Sequence, residues 1–203
     1  MSDVAHATPE QLDAALAHVR AAPRDLGTVE LIVRRPATDE REVLDVGELD
    51  PEVGLVGDTW IARGSRRTDD GSAHPDMQLN VMNARAIAAL APDRERWALA
   101  GDQLYLDLDI SHDNLPAGTR LALGDAVIEV TDQPHTGCAK FSHRFGPDAV
   151  RWVNSPDGKQ LRLRGLNARV VVPGTVRRGD TITVRRVAAP AAPAEPAEPV
   201  TGG

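Results

Sequence analysis

Alternation of apolar and polar positions dominates the middle and end of the chain. Leu104, Leu106, Leu108 and Ile110 alternate with Tyr105, Asp107 and Asp109, the period-two signature of a half-buried strand. Further strands are expected over 28–34, 41–46, 77–82, 120–123, 126–131, 168–172 and 181–186, separated by turn residues such as Gly124-Asp125, Pro173-Gly174 and Gly179-Asp180. The strand over 28–34 and the next are expected to form a hairpin across Ala37–Glu40, with Val29, Leu31 and Val33 on one face. Leu161-Arg162-Leu163-Arg164 also alternates and would place its arginines on a shared face.

Helical signals are fewer and shorter. Thr8-Pro9-Glu10-Gln11 reads as a capping box with proline at the first helical position, followed by Leu12, Leu16 and Val19 at helical spacing. Asn83 can cap a helix over Ala84–Leu90, and Pro92 to Glu95 opens another carrying Trp97. Pro147 starts one more, to about Val153. Gly54 to Asp58 is a tight, glycine-bracketed passage, and Arg63–Asp76 a polar surface loop. Short strands punctuated by glycine, proline and aspartate indicate a mainly β fold: a barrel of mostly antiparallel strands with a few short helices, α+β by some counts. The expected division is an N-terminal helix and lead-in over 1–26, the barrel over 27–187, and an Ala/Pro/Glu-rich disordered tail over 188–203.

Composition narrows the chemistry. Aromatic residues are 3% of the 203, so the core must be aliphatic, and the formal net charge is -7. An acidic chain argues against nucleic acid as the main partner. No apolar run approaches the ~20 residues of a membrane helix, and no secretory leader is visible. A single cysteine excludes an internal disulfide framework and suits a reducing cytoplasm.

That cysteine, Cys138, is the chemical lead. It lies in a stretch without acids from Gln133 to Pro147 that carries His135, Lys140, His143 and Arg144. Cations favour the thiolate, the form that attacks and that ligates soft metals. Two readings stay open, a reactive or ligating cysteine and one that only fills space. Zinc held by His135, Cys138 and His143 is an alternative without the paired ligands of a structural site. A Cys-His hydrolase would need His112, His135 or His143 as base. A second acid-free block, Lys159–Gly179, contributes Arg162, Arg164, Arg169, Arg177 and Arg178, and the two blocks together suggest a shared anion pocket.

The order of short motifs resembles the MOSC domain family, named for the C-terminal domain of molybdenum cofactor sulfurases. The matching residues are Gly57-Asp58, the strand from Gly101 ending in Asp113-Asn114-Leu115, Gly124, Val127–Val130, Gly137-Cys138, and Gly174 to Gly179-Asp180. The likeness covers roughly Thr28 to Arg186. It implies a β-barrel that binds a molybdenum–pterin cofactor, or carries sulfur for one, through Cys138 as ligand or carrier. His135, Thr136, Lys140 and Arg164 would contact phosphate or pterin, and Asn114 would add a polar contact. Relatives also suggest small N-oxygenated substrates, an external electron or sulfur donor protein and, more distantly, pyridoxal phosphate binding. Relatives often read Gly-Glu-Asn-Leu and Pro-Cys where this chain reads His112-Asp113-Asn114-Leu115 and Gly137-Cys138.

Overall fold

The structure, a computed structural model, describes residues 6–186. The tail expected over 188–203 lies outside them. In chain order the elements are α1 (Pro9–Arg20), β1 (Leu26–Arg34), β2 (Glu42–Leu44), β3 (Val46–Asp50), β4 (Gly54–Leu55), α2 (Trp60–Arg63), β5 (Leu79–Asn83), α3 (Ala84–Leu90), β6 (Leu104–Asp107), β7 (Arg120–Leu123), β8 (Ala126–Val130), α4 (Ala139–Phe145), α5 (Pro147–Asn154), α6 (Pro156–Gln160), β9 (Leu166–Val172), β10 (Gly174–Arg177) and β11 (Thr181–Arg185). Short 3-10 helices fill Pro75–Met77 and Arg94–Ala100.

Seven strands close into a barrel in the order β11-β7-β8-β9-β5-β6-β1, and β1 returns to β11 through Leu26–Thr183 and Thr28–Thr181. Six of its seven pairings are antiparallel, and only β5 and β6 run parallel. β1 is long enough to serve two neighbours along one edge: its start pairs with β11 and its end with β2. A small second sheet, β10-β3-β4, stands beside the barrel.

Local rules account for most helix starts. Thr8 and Gln11 make the reciprocal capping box of α1, and the Asn83 side chain accepts from the Arg85 and Ala86 amides to start α3. Two apolar clusters then lie on either side of the sheet. Ile32, Leu106, Leu121, Ile128 and Ile182 fill the barrel, while Leu12, Ile87, Trp97, Phe145 and Trp152 pack helices on its outer wall.

That second layer corrects two sequence expectations. Tyr105, read as an outward position, is fully buried in the helical layer and donates to the Trp97 carbonyl at 2.7 Å. Val29, Leu31 and Val33 do not share a face. The register of β1 against β6 shifts between Val29 and Leu31, which turns Val29 and Ile32 into the barrel and Leu31 and Val33 toward the helices. The expected strand over 41–46 divides into β2 and β3, which join different sheets, and β10 occupies the expected Pro173-Gly174 connection.

Candidate functional site

The site is organised by Gly101-Asp102-Gln103, a polar interruption just ahead of β6. The carbonyls of Leu99, Ala100 and Gly101 each accept from a different arginine: Arg144 at 2.7 Å, Arg164 at 3.1 Å and Arg35 at 3.0 Å. Asp102 has no solvent exposure. It accepts from Arg164 Nη1 at 2.7 and 2.9 Å and is bonded to His135 Nε2 at 2.8 Å. Burial alone would raise its carboxyl, but the Arg164 charge and the His135 hydrogen bond win and hold it below the ordinary range. His135 is pushed the same way by burial and then by Arg164, so the neutral ring donates its Nε2 proton to the ionised carboxylate. Arg164 also stacks 4.8 Å from the Phe141 ring, and its Nε is buried without a partner among the described residues.

A second arginine sits nearby under different terms. Leu161–Arg164 is a tight turn, not the expected strand: Arg162 has φ 51°, and its carbonyl accepts from the Gly165 amide at 2.7 Å. The alternation there is closed by local hydrogen bonds, so it has no ladder to join. Gly165 has φ 115°, and a Cβ there would collide with the Val81 carbonyl and press on the His135 ring, so only glycine fits. Arg162 is buried and donates to the carbonyls of Leu115 at 2.6 Å and Ile110 at 3.4 Å. It forms no ion pair with any carboxylate among the described residues. Burial pushes its pKa down to about 10. A buried charge without a counter-ion costs several kcal/mol unless something supplies one.

What could supply one is a ligand. Arg162 lines a cavity of about 560 Å³ together with Arg164, His135, Thr136, Lys159 and His112. Asp132 also lines it. Burial and then the Arg162 charge hold His112 below the usual histidine range, so it is neutral at pH 7. Lys159 lies in α6 and Thr136 in the segment leading to α4, so the wall is assembled from parts far apart in the chain.

Of the residues singled out from sequence, His135, Thr136 and Arg164 come together at this cavity. Cys138 is exposed at the N-cap of α4, two residues past Thr136, and is not among the lining residues. Lys140 is exposed and donates to Asp39 at 3.0 Å. Asn114 is buried: its Nδ2 donates to the carbonyls of Arg24 and Asp109, and its Oδ1 accepts from Arg186. The shared pocket expected from the second basic block dissolves in part. Arg169 pairs with Asp76 and Glu129 and Arg178 with Asp45, acids supplied from elsewhere in the fold. No three His, Cys, Asp or Glu side chains converge as a metal site among the described residues, so His135, Cys138 and His143 are not brought together. Sequence reading missed Asp102, whose signal was its place in Gly101-Asp102-Gln103, three polar or small residues set directly against an apolar strand.

These features define a class: a closed β-barrel with helices on one wall and a cavity lined by arginine, lysine and histidine, near a single cysteine. The MOSC domain model matches residues 68–183, more than half of the chain, and the protein belongs to the MOSC domain family. The YuaD protein from Bacillus subtilis has a similar fold, with TM-score 0.62 and 15% identity over 78% of this chain and 95% of that one. YiiM from Escherichia coli is also similar, with TM-score 0.51 and 21% identity over 79% and 71% of the two chains. No curated protein matches the chain.

Proposed function

We propose that this MOSC protein holds a phosphate-bearing molybdenum–pterin cofactor, with the anionic end in the Arg162 cavity and Cys138 at its edge as sulfur ligand or sulfur carrier. The observation that carries the reading is the buried guanidinium of Arg162, without a carboxylate partner among the described residues, in a cavity of small-molecule size. The donor set fits the phosphate end of such a group: Arg162 and Lys159 supply charge at the cavity wall. Thiolate is the protein ligand suited to a soft metal, and Cys138 is exposed and accessible.

When bound, the cofactor supplies two-electron redox chemistry for reducing small N-oxygenated compounds. The chain's own residues bind and orient it: Arg162 neutralises phosphate, Thr136 and neutral His112 offer polar contacts, and the Asp102 centre holds the His135 segment in place. An external electron or sulfur donor protein would complete the cycle, in a reducing compartment such as the cytoplasm. A metal-free thiol enzyme has less support, because the Cys138 sulfur is hydrogen-bonded to no histidine among the described residues. A barrel that binds a small anion without chemistry is the second reading, favoured by the absence of Cys138 from the cavity lining.

The test is metal and pterin content after expression in a cofactor-competent host, for wild type, Cys138→Ser and Arg162→Met. Near-stoichiometric molybdenum and pterin in wild type is expected. Pterin should fall in Arg162→Met, and molybdenum should be lost from Cys138→Ser. Wild-type protein with neither, and without persulfide on Cys138, overturns the proposal in favour of the anion-binding barrel.

A further inference from the structure

A second set of cations lies beside Cys138 and takes no part in the Arg162 cavity. Asp39, in the connection between β1 and β2, has a left-handed backbone with φ 62°, a conformation that strains a non-glycine residue. Its carboxylate reaches across to α4. Lys140 Nζ donates to its two oxygens at 3.0 and 3.3 Å, and Arg144 Nη2 donates to Oδ1 at 3.0 Å. Arg41 stands close by: its guanidinium lies against Gly101, and its Nε is buried without a partner among the described residues. Burial and then the Arg144 charge depress the Arg41 pKa, which marks the crowding of these cations.

Lys140 and Arg144 thus share one carboxylate that is more than half exposed, and the Arg41 charge acts on it from nearby. A solvent-exposed pair of this kind contributes little to stability. Backbone strain at Asp39 offsets much of that, so the contact is weak and open to competition. The carboxylate offers two oxygens and one charge to the nest. A tetrahedral dianion offers more of both, in the geometry that guanidinium and ammonium groups recognise.

We propose that Lys140, Arg144 and Arg41 form a binding site for a phosphate- or sulfate-class dianion, and that Asp39 is an internal occupant which the dianion displaces. The site stands apart from the Arg162 cavity and does not rest on the cofactor reading. The ligand is either the free ion or the phosphomonoester group of a larger molecule, which share this chemistry.

The experiment uses the full chain without cofactor. Phosphate affinity is read from protection of Cys138 against iodoacetate, an anionic reagent, with neutral iodoacetamide as the control and ionic strength held constant. Asp39→Asn should tighten phosphate binding at least threefold and raise the iodoacetate-to-iodoacetamide rate ratio. Asp45→Asn, the same charge change beside Arg178, should alter neither. Lys140→Ala should weaken binding about tenfold, whereas Arg162→Met should leave this protection unchanged. Phenyl phosphate beside inorganic phosphate separates the sources: tighter binding of the ester indicates a larger molecule, and equal binding the free ion. Equal phosphate affinity in Asp39→Asn and Asp45→Asn, or an unaffected Lys140→Ala, overturns the proposal. The cofactor reading stands or falls separately, on the molybdenum and pterin content of protein from a cofactor-competent host.

Discussion

Two buried arginines, Arg164 and Arg162, stand two residues apart and line the same cavity under opposite electrostatic conditions. Arg164 meets Asp102 through two hydrogen bonds, and His135 binds the same carboxylate, so this centre is charge-matched from within. Among the described residues the Arg162 guanidinium meets only backbone carbonyls, at Leu115 and Ile110. The first arrangement ties the His135 and Arg164 segments to Asp102. The second leaves a charge to be neutralised from outside. Basicity alone therefore does not identify an anion site, because the distinction lies in which guanidinium the fold has already satisfied.

The comparison can be broken most forcefully at Asp102. Asp102→Asn leaves the Arg164 charge buried and unpaired, and should cost about 3–5 kcal/mol in urea unfolding. A cost below ~1 kcal/mol would show that the centre does not hold these segments together. Gly165→Ala comes next. It forces a Cβ against the Val81 carbonyl at φ 115° and should cost about 2 kcal/mol or more by the same measurement. Arg162→Met should do the reverse of Asp102→Asn. Isothermal titration with an anionic ligand should show at least a tenfold weakening, about 1.4 kcal/mol, while stability moves by only about 1 kcal/mol. A large loss of stability without loss of anion binding would make Arg162 a purely structural residue.

The smallest effect is the dependence on pH. His135 and Asp102 both have folded-state pKa values depressed below their unfolded values. Each therefore contributes stability that is present above its unfolded pKa and lost as pH falls toward the folded one. The unfolding midpoint should decline gradually as pH drops below ~6.5, through His135, and more steeply below ~4, through Asp102. His112 shifts in the same direction and adds to the first decline. Substituting Gln for His135 and His112 together should flatten the profile between pH 7 and 5; an unchanged slope would remove both groups from this account.

Much of the fold was legible because its signals are local. The capping box at Thr8 and Gln11, the Asn83 cap and the Gly124-Asp125 turn depend on residues within four positions of one another. Misreadings fell where a distant layer overrides local pattern. Tyr105 looked outward until the helical layer covered it, and the bulge in β1 reassigned Leu31 and Val33. The site was legible in part for the same reason. His135, Thr136 and Arg164 were found in acid-free blocks, yet their functional contrast rests on Asp102, 33 and 62 residues away in the chain.

Strand and turn content, the barrel class, the helix starts and the presence of a single thiol could all be read from the chain, because each follows from backbone preference, periodicity or composition over a few residues. Tertiary structure was needed to show that β1 closes on β11, that Lys140 faces Asp39 and that, among the described residues, Arg164 has a carboxylate partner and Arg162 has none. The physical reason is that the charge environment of a buried side chain is set by whichever groups the fold brings within a few ångströms. Here those groups come from segments that no local pattern connects.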